Sequence, residues 1–266
     1  MTGSDQVWNP NHIGKDMTYF LSFAPSDAPK ISYASSFAIT HLDETIKPLY
    51  SEYLKKYKHI SVRETSGKEI VRQLIGEEAT VDIDPVFLIN AQEWSILSNK
   101  SQLKINERYI LVYALYYMFD PYPELRNIIK YVQKTLNCKV IYLNARTSDL
   151  FMPHSKVYKA GGPYEFLYLI KNAEIVITTS FHGASFSAIF NKPLLGIVKG
   201  DKSDDRISSL LYNLGSEKSI VPYDKDISHW DTNTILSLKC NKEKLEQLID
   251  TSKSNLLNSI RRANNE

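Results

Sequence analysis

The chain has 266 residues, and its 32 Lys+Arg against 30 Asp+Glu leave a formal net charge of +2. With 43% hydrophobic and 23% charged residues, intrinsic disorder is excluded, and the near-neutral balance argues against a general nucleic-acid binder. At about 100–200 residues per domain, the length suggests one large domain or two modest ones, able to bury a core without disulfide or metal staples.

The chain opens with MTGSDQVWNP, a polar stretch of loop character. Domains rarely begin inside a turn, so the first domain is expected to be incomplete at its start. MTYFLSF (Met17 to Phe23) and KISYASSF (Lys30 to Phe37) are rich in aromatic and β-branched residues and read as strands. Ile46, Leu49, Tyr50, Tyr53, Leu54 and Tyr57 form the stripe of an amphipathic helix. Pro48 then falls in its first turn, where a missing N–H costs little. HISVRE reads as a short strand, and TSGKEIVRQLIG as a short helix ending at Gly76. TVDID leads into Asp84-Pro85, and the proline biases Asp84 away from helix. Asn90 caps a brief helix containing Trp94.

Ser98 to Arg108 is polar and is taken as a linker, after which the pattern restarts. YILVYAL (Tyr109 to Leu115) is a continuous apolar strand. Leu125, Ile128, Ile129, Val132 and Leu136 give another helical stripe. KVIYL, a Gly161-Gly162-Pro163 turn, the helix PYEFLYLIKNA and the strand EIVIT follow. SFHGASFSAIFN (helix), PLLGIV (strand) and DRISSLLYNLG (helix) come next. Leu245, Leu248, Ile249, Leu256 and Ile260 line one face of a terminal helix. Apolar strands interleaved with amphipathic helices imply parallel sheets covered on both faces. The expected class is therefore α/β, with two Rossmann-like domains facing a cleft. Their bounds are 1–103 and 104–240, with a terminal helix, 241–266, packing back on the first.

In such sheets ligands bind at the carboxyl ends of the strands. Three places there carry chemistry. In EIVITTSFHG a buried strand ends at Thr178 and a helix begins near His182. The turn offers backbone N–H groups, the hydroxyls of Thr179 and Ser180, and an imidazole. Together with the helix dipole these make an anion site, and the histidine can move protons near neutral pH. The plain alternative is an N-cap with His182 packed under a loop. In SVRETSGKE, Arg63 ends a strand, and its planar fork suits carboxylate or phosphate; the alternative is a surface Arg63–Glu64 pair. In GSDQVW, Asp5 follows a Gly-Ser turn and Trp8 offers a ring to stack on a sugar; the alternative is an Asx turn with Trp8 in the core. Arg206, in the first turn of DRISSLL, is a weaker candidate that Asp204 and Asp205 could hold structurally. Arg146 and Asp149 are weaker still.

Other classes find little support. The longest apolar run, Tyr109 to Phe119, is shorter than the roughly 18 residues of a membrane span. Cys138 and Cys240 stand far apart without a CxxC, so neither a zinc site of ordinary spacing nor a disulfide scaffold is expected. Two lone thiols suit a reducing cytosol, and no signal peptide is evident. No metal is expected. Lys242, Lys244, Lys253, Arg261 and Arg262 read as the solvated face of the last helix, with peripheral contact to the inner face of a membrane as the alternative.

GSDQVWNP, YFLSF, KISYASSF, ISVRE, Asp84-Pro85, YILVYAL, PYEFLYLIKNAEIVITTSFHGASFSAIFNKPL and DRISSLL, in that order, resemble the polysaccharide pyruvyl transferase family. The resemblance runs from Gly3 to about Leu214; GSDQVWN and SFHG are its more specific phrases. It implies a glycosyltransferase-B-like architecture and transfer of pyruvate from phosphoenolpyruvate onto two hydroxyls of a sugar or lipid-linked glycan. The product is a ketal, and no cofactor is implied beyond that donor. By resemblance His182 matches the family's essential histidine and Arg63 a donor-binding arginine. Thr179, Ser180, Gly183 and Arg206 join the donor side, with Asp5 as an acceptor-side base and Trp8 on the acceptor. Some branches carry an arginine where Ser180 stands here, and Arg206 or a lysine is the candidate substitute. Family members commonly carry an N-terminal strand ahead of GSDQVW, in line with a trimmed start. Two alternatives remain: a nucleotide-sugar glycosyltransferase of the same architecture, against which FSAIFN offers no ribose-binding carboxylate, and a non-catalytic fragment or binding module.

Overall fold

The computed structural model describes residues 1–116, 119–143, 154–158, 161–201 and 205–264; Arg146, Asp149 and Asp204 lie outside them. The chain forms two compact units. The first takes Met1–Leu88, Lys202–Leu210 and Glu243–Glu266, and the second Ile89–Asp201 and Leu211–Lys242.

In the first unit the strands are short. After α1 (Pro10–Ile13) come β1 (Lys30–Ile31), α2 (Lys47–Leu54), β2 (Tyr57–His59), β3 (Ser61–Val62), α3 (Thr65–Ile75) and β4 (Thr80–Val81). Parallel pairings join β1 to β2 and β3 to β4. Parallel bridges add Thr2 to Ser32, Asp5 to Ser35, and Ser35 to Val62. The segments 2–5, 30–35, 57–62 and 80–81 therefore run side by side in sequence order. Pro48 does lie in the first turn of α2, and Gly76 closes α3 at φ 74°, a left-handed cap that favours glycine.

Met17 to Phe23 is not a strand. Thr18–Phe20 is a single 3-10 turn, and Leu21 follows at φ 57°. Met17 and Phe20 are buried at i, i+3 spacing while Tyr19 and Phe23 are exposed, so the aromatic-rich composition concealed a helical rather than an alternating pattern. Phe20 is buried because it stacks on Trp8, with centroids 5.1 Å apart. Trp8 also meets Phe37 and, edge-on, Tyr57. It is 0% exposed, which removes it from the acceptor-binding role expected for it: no face of the ring is open to stack on a sugar.

In the second unit α4 (Ala91–Ser98) starts at an Asn90 capping box. β5 (Tyr109–Tyr113), α5 (Glu124–Leu136), β6 (Lys139–Leu143), β7 (Ser155–Tyr158), α6 (Pro163–Asn172), β8 (Ile175–Thr178), α7 (Phe181–Ile189) and β9 (Leu194–Val198) follow. Then come α8 (Arg206–Asn213), which begins in the first unit and ends in the second, β10 (Ile220–Pro222), α9 (Thr232–Leu236) and α10 (Lys242–Ala263). The strands form one sheet of order β10-β9-β8-β5-β6-β7, parallel at every pairing. Its apolar strands pack under the α5 stripe, with Leu125, Ile128, Ile129, Val132 and Leu136 all buried. β7 and β10, the edges, carry no long apolar run, and Pro222 ends β10, so neither stood out in the sequence.

The units divide at Leu88/Ile89 rather than at 103/104, because α4 packs on α6 and Trp94 meets Phe186 edge-on at 4.9 Å. The terminal helix belongs to the first unit. Ile83 N donates to Ser252 Oγ at 2.9 Å, and Asn255 Nδ2 to Asp82 Oδ1 at 2.8 Å. The inward face of α10 is thus built on Ser252, Ser259 and Ala263, and Ile260 points out. Truncating the ring at the centre of the first core, Trp8→Ala, should lower the unfolding free energy by about 3–5 kcal/mol in a urea titration.

Candidate functional site

The second sheet reverses direction at β5. The chain moves from β5 to β6 and β7 on one side, and from β8 to β9 and β10 on the other. The carboxyl ends of β5 and β8 therefore flank a topological switch point, the place where open α/β sheets bind ligands. Thr178 ends β8 within the sheet, and its Oγ1 donates to the Tyr113 carbonyl at 2.6 Å. Thr179 Oγ1 accepts from Leu115 N at 2.7 Å and donates to Leu115 O at 2.9 Å. Two hydroxyls thus tie the loop after β8 to the loop after β5.

That tie fixes where α7 starts. Ser180 is its N-cap, and its Oγ accepts from Gly183 N at 3.3 Å. His182 lies in the first turn, partly buried, where the helix dipole favours an anion. Gly183 is demanded by space. A Cβ there would collide with Thr178 Oγ1 and stand 3.1 Å from Thr178 Cβ. The structure thus places Thr179, Ser180, His182 and Gly183 together, with Thr179 and Ser180 committed to holding the turn.

In the first unit the carboxyl ends of neighbouring strands gather a second cluster. Arg63 follows β3, and its side chain is 1% exposed. Its Nη1 donates to Asp84 Oδ2 at 2.9 Å, and Nη2 lies 3.6 Å from Asp5 Oδ1. Its Nε is 4.0 Å from Glu64 Oε2. Asp84 Oδ2 also lies 2.9 Å from Ser4 Oγ. Arg63 and Glu64 are therefore not a surface pair. Glu64 is 0% exposed and turns its Oε1 to Ser36 Oγ, Phe37 N and Ala38 N, at 3.0, 2.8 and 3.1 Å. Burial pushes its carboxyl above the usual glutamate range, against the opposing pull of Arg63 and these hydrogen bonds.

Asp5 keeps an exposed carboxylate and sits at φ 75°, a left-handed backbone uncommon outside glycine. Its Oδ1 accepts from Gln6 N at 2.9 Å, one residue on, whereas Val7 N donates to the Asp5 backbone carbonyl at 2.7 Å; the side chain does not make the Asx turn that was the plain alternative. Arg206 is buried at the start of α8. Ser66 Oγ donates to Asp205 Oδ1 at 2.7 Å, and the Thr65 and Ser209 hydroxyls meet at 3.3 Å. The start of α8 thus lies against the start of α3, at the same end of the first unit as Arg63. Ser4, Glu64 and Asp84 were not singled out as site residues. Asp84 carried the one available signal, a polar residue just past a strand end.

Among the described residues no group of His, Cys, Asp and Glu could hold a metal ion, and no helix is long and apolar enough to cross a membrane.

A six-stranded parallel sheet with a strand-order switch point, in a chain whose other unit carries a second set of parallel strands, is the Rossmann-like, glycosyltransferase-B-like α/β class. Solved structures agree on the fold. A Listeria monocytogenes protein assigned as a UDP-N-acetylglucosamine 2-epimerase aligns with a TM-score of 0.53 at 10% identity, over 87% of this chain and 66% of that one. The UDP-GlcNAc 2-epimerase of Methanocaldococcus jannaschii aligns with a TM-score of 0.50 at 16% identity, over 84% of this chain and 62% of that one. The chain thus spans less than two thirds of the length of these structures. No curated protein sequence matches it. The chain belongs to the polysaccharide pyruvyl transferase family, whose model matches residues 1–201.

Two measurements check the geometry. Gly183→Ala should cost about 1–3 kcal/mol of stability through overpacking against Thr178, read as a lower Tm. Because the folded Glu64 carboxyl is raised, the native state holds a proton that the unfolded chain has released, and wild-type stability falls as pH rises from about 4.5 through the folded value. In Glu64→Gln this slope should disappear, so the stability difference between variant and wild type moves in the variant's favour with rising pH.

Proposed function

We propose that the protein transfers pyruvate from phosphoenolpyruvate to two hydroxyls of a sugar in a polysaccharide or its lipid-linked precursor. Family membership supports the transferase class. The observation that carries the donor reading is the loop Thr179–Gly183, which sets a partly buried histidine in the first turn of a helix at the sheet's switch point.

Phosphoenolpyruvate brings a carboxylate and a phosphate, so its site needs N–H donors and cations. In the second unit the first turn of α7 supplies donors and a favourable dipole; in the first unit Arg63 and Arg206 are the guanidinium groups that the family resemblance assigns to the donor. The reaction starts with a proton delivered to the methylene carbon, leaving an oxocarbenium-like centre at the adjacent carbon. A sugar hydroxyl attacks that centre and gives up its proton. The bond to the phosphate oxygen then breaks, and the second hydroxyl closes the ketal, its proton leaving with the phosphate. His182 is the proposed proton carrier, and Asp5 the base that takes the proton of an acceptor hydroxyl. Trp8 has no part in this scheme.

The competing nucleotide-sugar reading lacks its usual carboxylate: α7, FHGASFSAI, contains no acid. The similarity to UDP-GlcNAc epimerases extends to the fold alone. His182→Ala should lower pyruvyl transfer to an acceptor glycan by about 10²–10⁴-fold while leaving the circular dichroism spectrum unchanged. Transfer at the wild-type rate overturns the role of His182. Calorimetric binding of a uridine or guanosine diphosphate sugar, with none of phosphoenolpyruvate, overturns the donor.

A further inference from the structure

Of the three carboxylates around Arg63, Asp84 and Asp5 are of different kinds. Asp84, with its side chain 3% exposed, is held on both oxygens. Oδ2 takes Arg63 Nη1 at 2.9 Å and lies 2.9 Å from Ser4 Oγ, and Oδ1 accepts from Val86 N at 3.1 Å. The Ser4 hydroxyl has one proton to share between Asp84 Oδ2 and the Ala34 carbonyl, 2.7 Å away. Asp84 is thus a rigid anchor. Asp5 is the opposite: its side chain is 65% exposed, and its Oδ1 stands 3.6 Å from Nη2, beyond a good hydrogen bond. Its Oδ1 keeps a separate partner, Gln6 N at 2.9 Å.

We propose that Asp84, with Ser4, is a positioning residue for donor binding, and that Asp5 is a placeholder carboxylate which the donor's own carboxylate or phosphate displaces from Arg63. The inference rests on the donor reading above. A guanidinium is planar, so a bond that fixes Nη1 also fixes the direction of Nη2. Asp84 therefore orients the arginine without touching the donor. The contact to Asp5 is long, 3.6 Å, and only its Asp5 end is solvated, so water already competes for that carboxylate. An anion that reaches hydrogen-bond distance of Nη2 replaces it at small cost, and the charge of Arg63 stays compensated throughout. The displaced Asp5 carboxylate, still anchored by the Gln6 amide, then lies beside the bound donor, where an acceptor hydroxyl can lose its proton.

The two carboxylates should respond in opposite directions. Phosphoenolpyruvate and inorganic phosphate are titrated by calorimetry into the full chain and into Asp84→Asn, Ser4→Ala and Asp5→Asn, with steady-state transfer measured alongside. Losing the charged anchor in Asp84→Asn should weaken donor binding about tenfold, the size of one charge-assisted hydrogen bond. KM for the donor should rise while kcat changes little. Ser4→Ala should shift the same way by a smaller factor. Asp5→Asn should tighten donor binding by about threefold and lower kcat, a split that a merely structural role does not produce. Unchanged donor binding in Asp84→Asn overturns the inference, as does weakened binding in Asp5→Asn. Should Asp84→Asn fail to fold, unchanged binding in Ser4→Ala overturns it instead. If the wild type binds phosphate with this pattern of variants but not phosphoenolpyruvate, the donor reading falls and the exchange site stands. If it binds neither anion, the exchange site falls.

Discussion

The organisation of the first unit depends on one buried charge. The Arg63 side chain is 1% exposed, and an ion taken out of water without partners would cost several kcal/mol. The fold meets that cost by bringing carboxylates to the arginine from separate places in the chain. Asp84 comes from just past β4 and Asp5 from the loop paired with Ser35, while Glu64, the residue after Arg63, turns mainly to the loop after β1. Parallel strands in sequence order make this possible, because their carboxyl ends all lie on one edge. The short strands matter less as a sheet than as a way of delivering those residues.

Glu64 extends the same constraint to the neighbouring loop. Its Oε1 gathers the Ser36 hydroxyl and the amides of Phe37 and Ala38, so the turn after β1 is folded around a carboxylate. Phe37 is thereby set against Trp8 in the core. The charged cluster and the aromatic core support one another. The second unit solves a different problem by simpler means. Its long apolar strands are stabilised by burial, and the hydroxyls of Thr178 and Thr179 fasten the loops on either side of the switch point.

Much of this was legible in the sequence where a pattern was long or a position special. The α5 stripe, the continuous strands β5 and β8, Pro48 in the first turn of α2, the Asn90 cap and the Gly76 stop all appear in place. The position of the loop Thr179–Gly183 was also readable, since it follows a buried strand and opens a helix. The misses share a cause. Met17 to Phe23 has strand-like composition, but Met17 and Phe20 face the core at helical spacing. Trp8 was read as a ring for sugar, but Phe20, Phe37 and Tyr57 enclose it. For Arg63 and Glu64 the plain alternative was a surface pair, and both side chains are buried instead. In each case the deciding neighbours are distant in sequence.

The sequence by itself determined the class of this protein. Periodicity sets which segments are helix or strand, apolar runs require a covered parallel sheet, and the ordered motifs place the chain in its family. Tertiary structure alone decided the partners: that Arg63 is buried among Asp5, Glu64 and Asp84, that Trp8 is core, and that the last helix returns to the first unit through Ser252 and Asn255. The reason is physical. Local patterns record which face of an element must leave water, but the compensation of a buried charge depends on what the other elements bring to it.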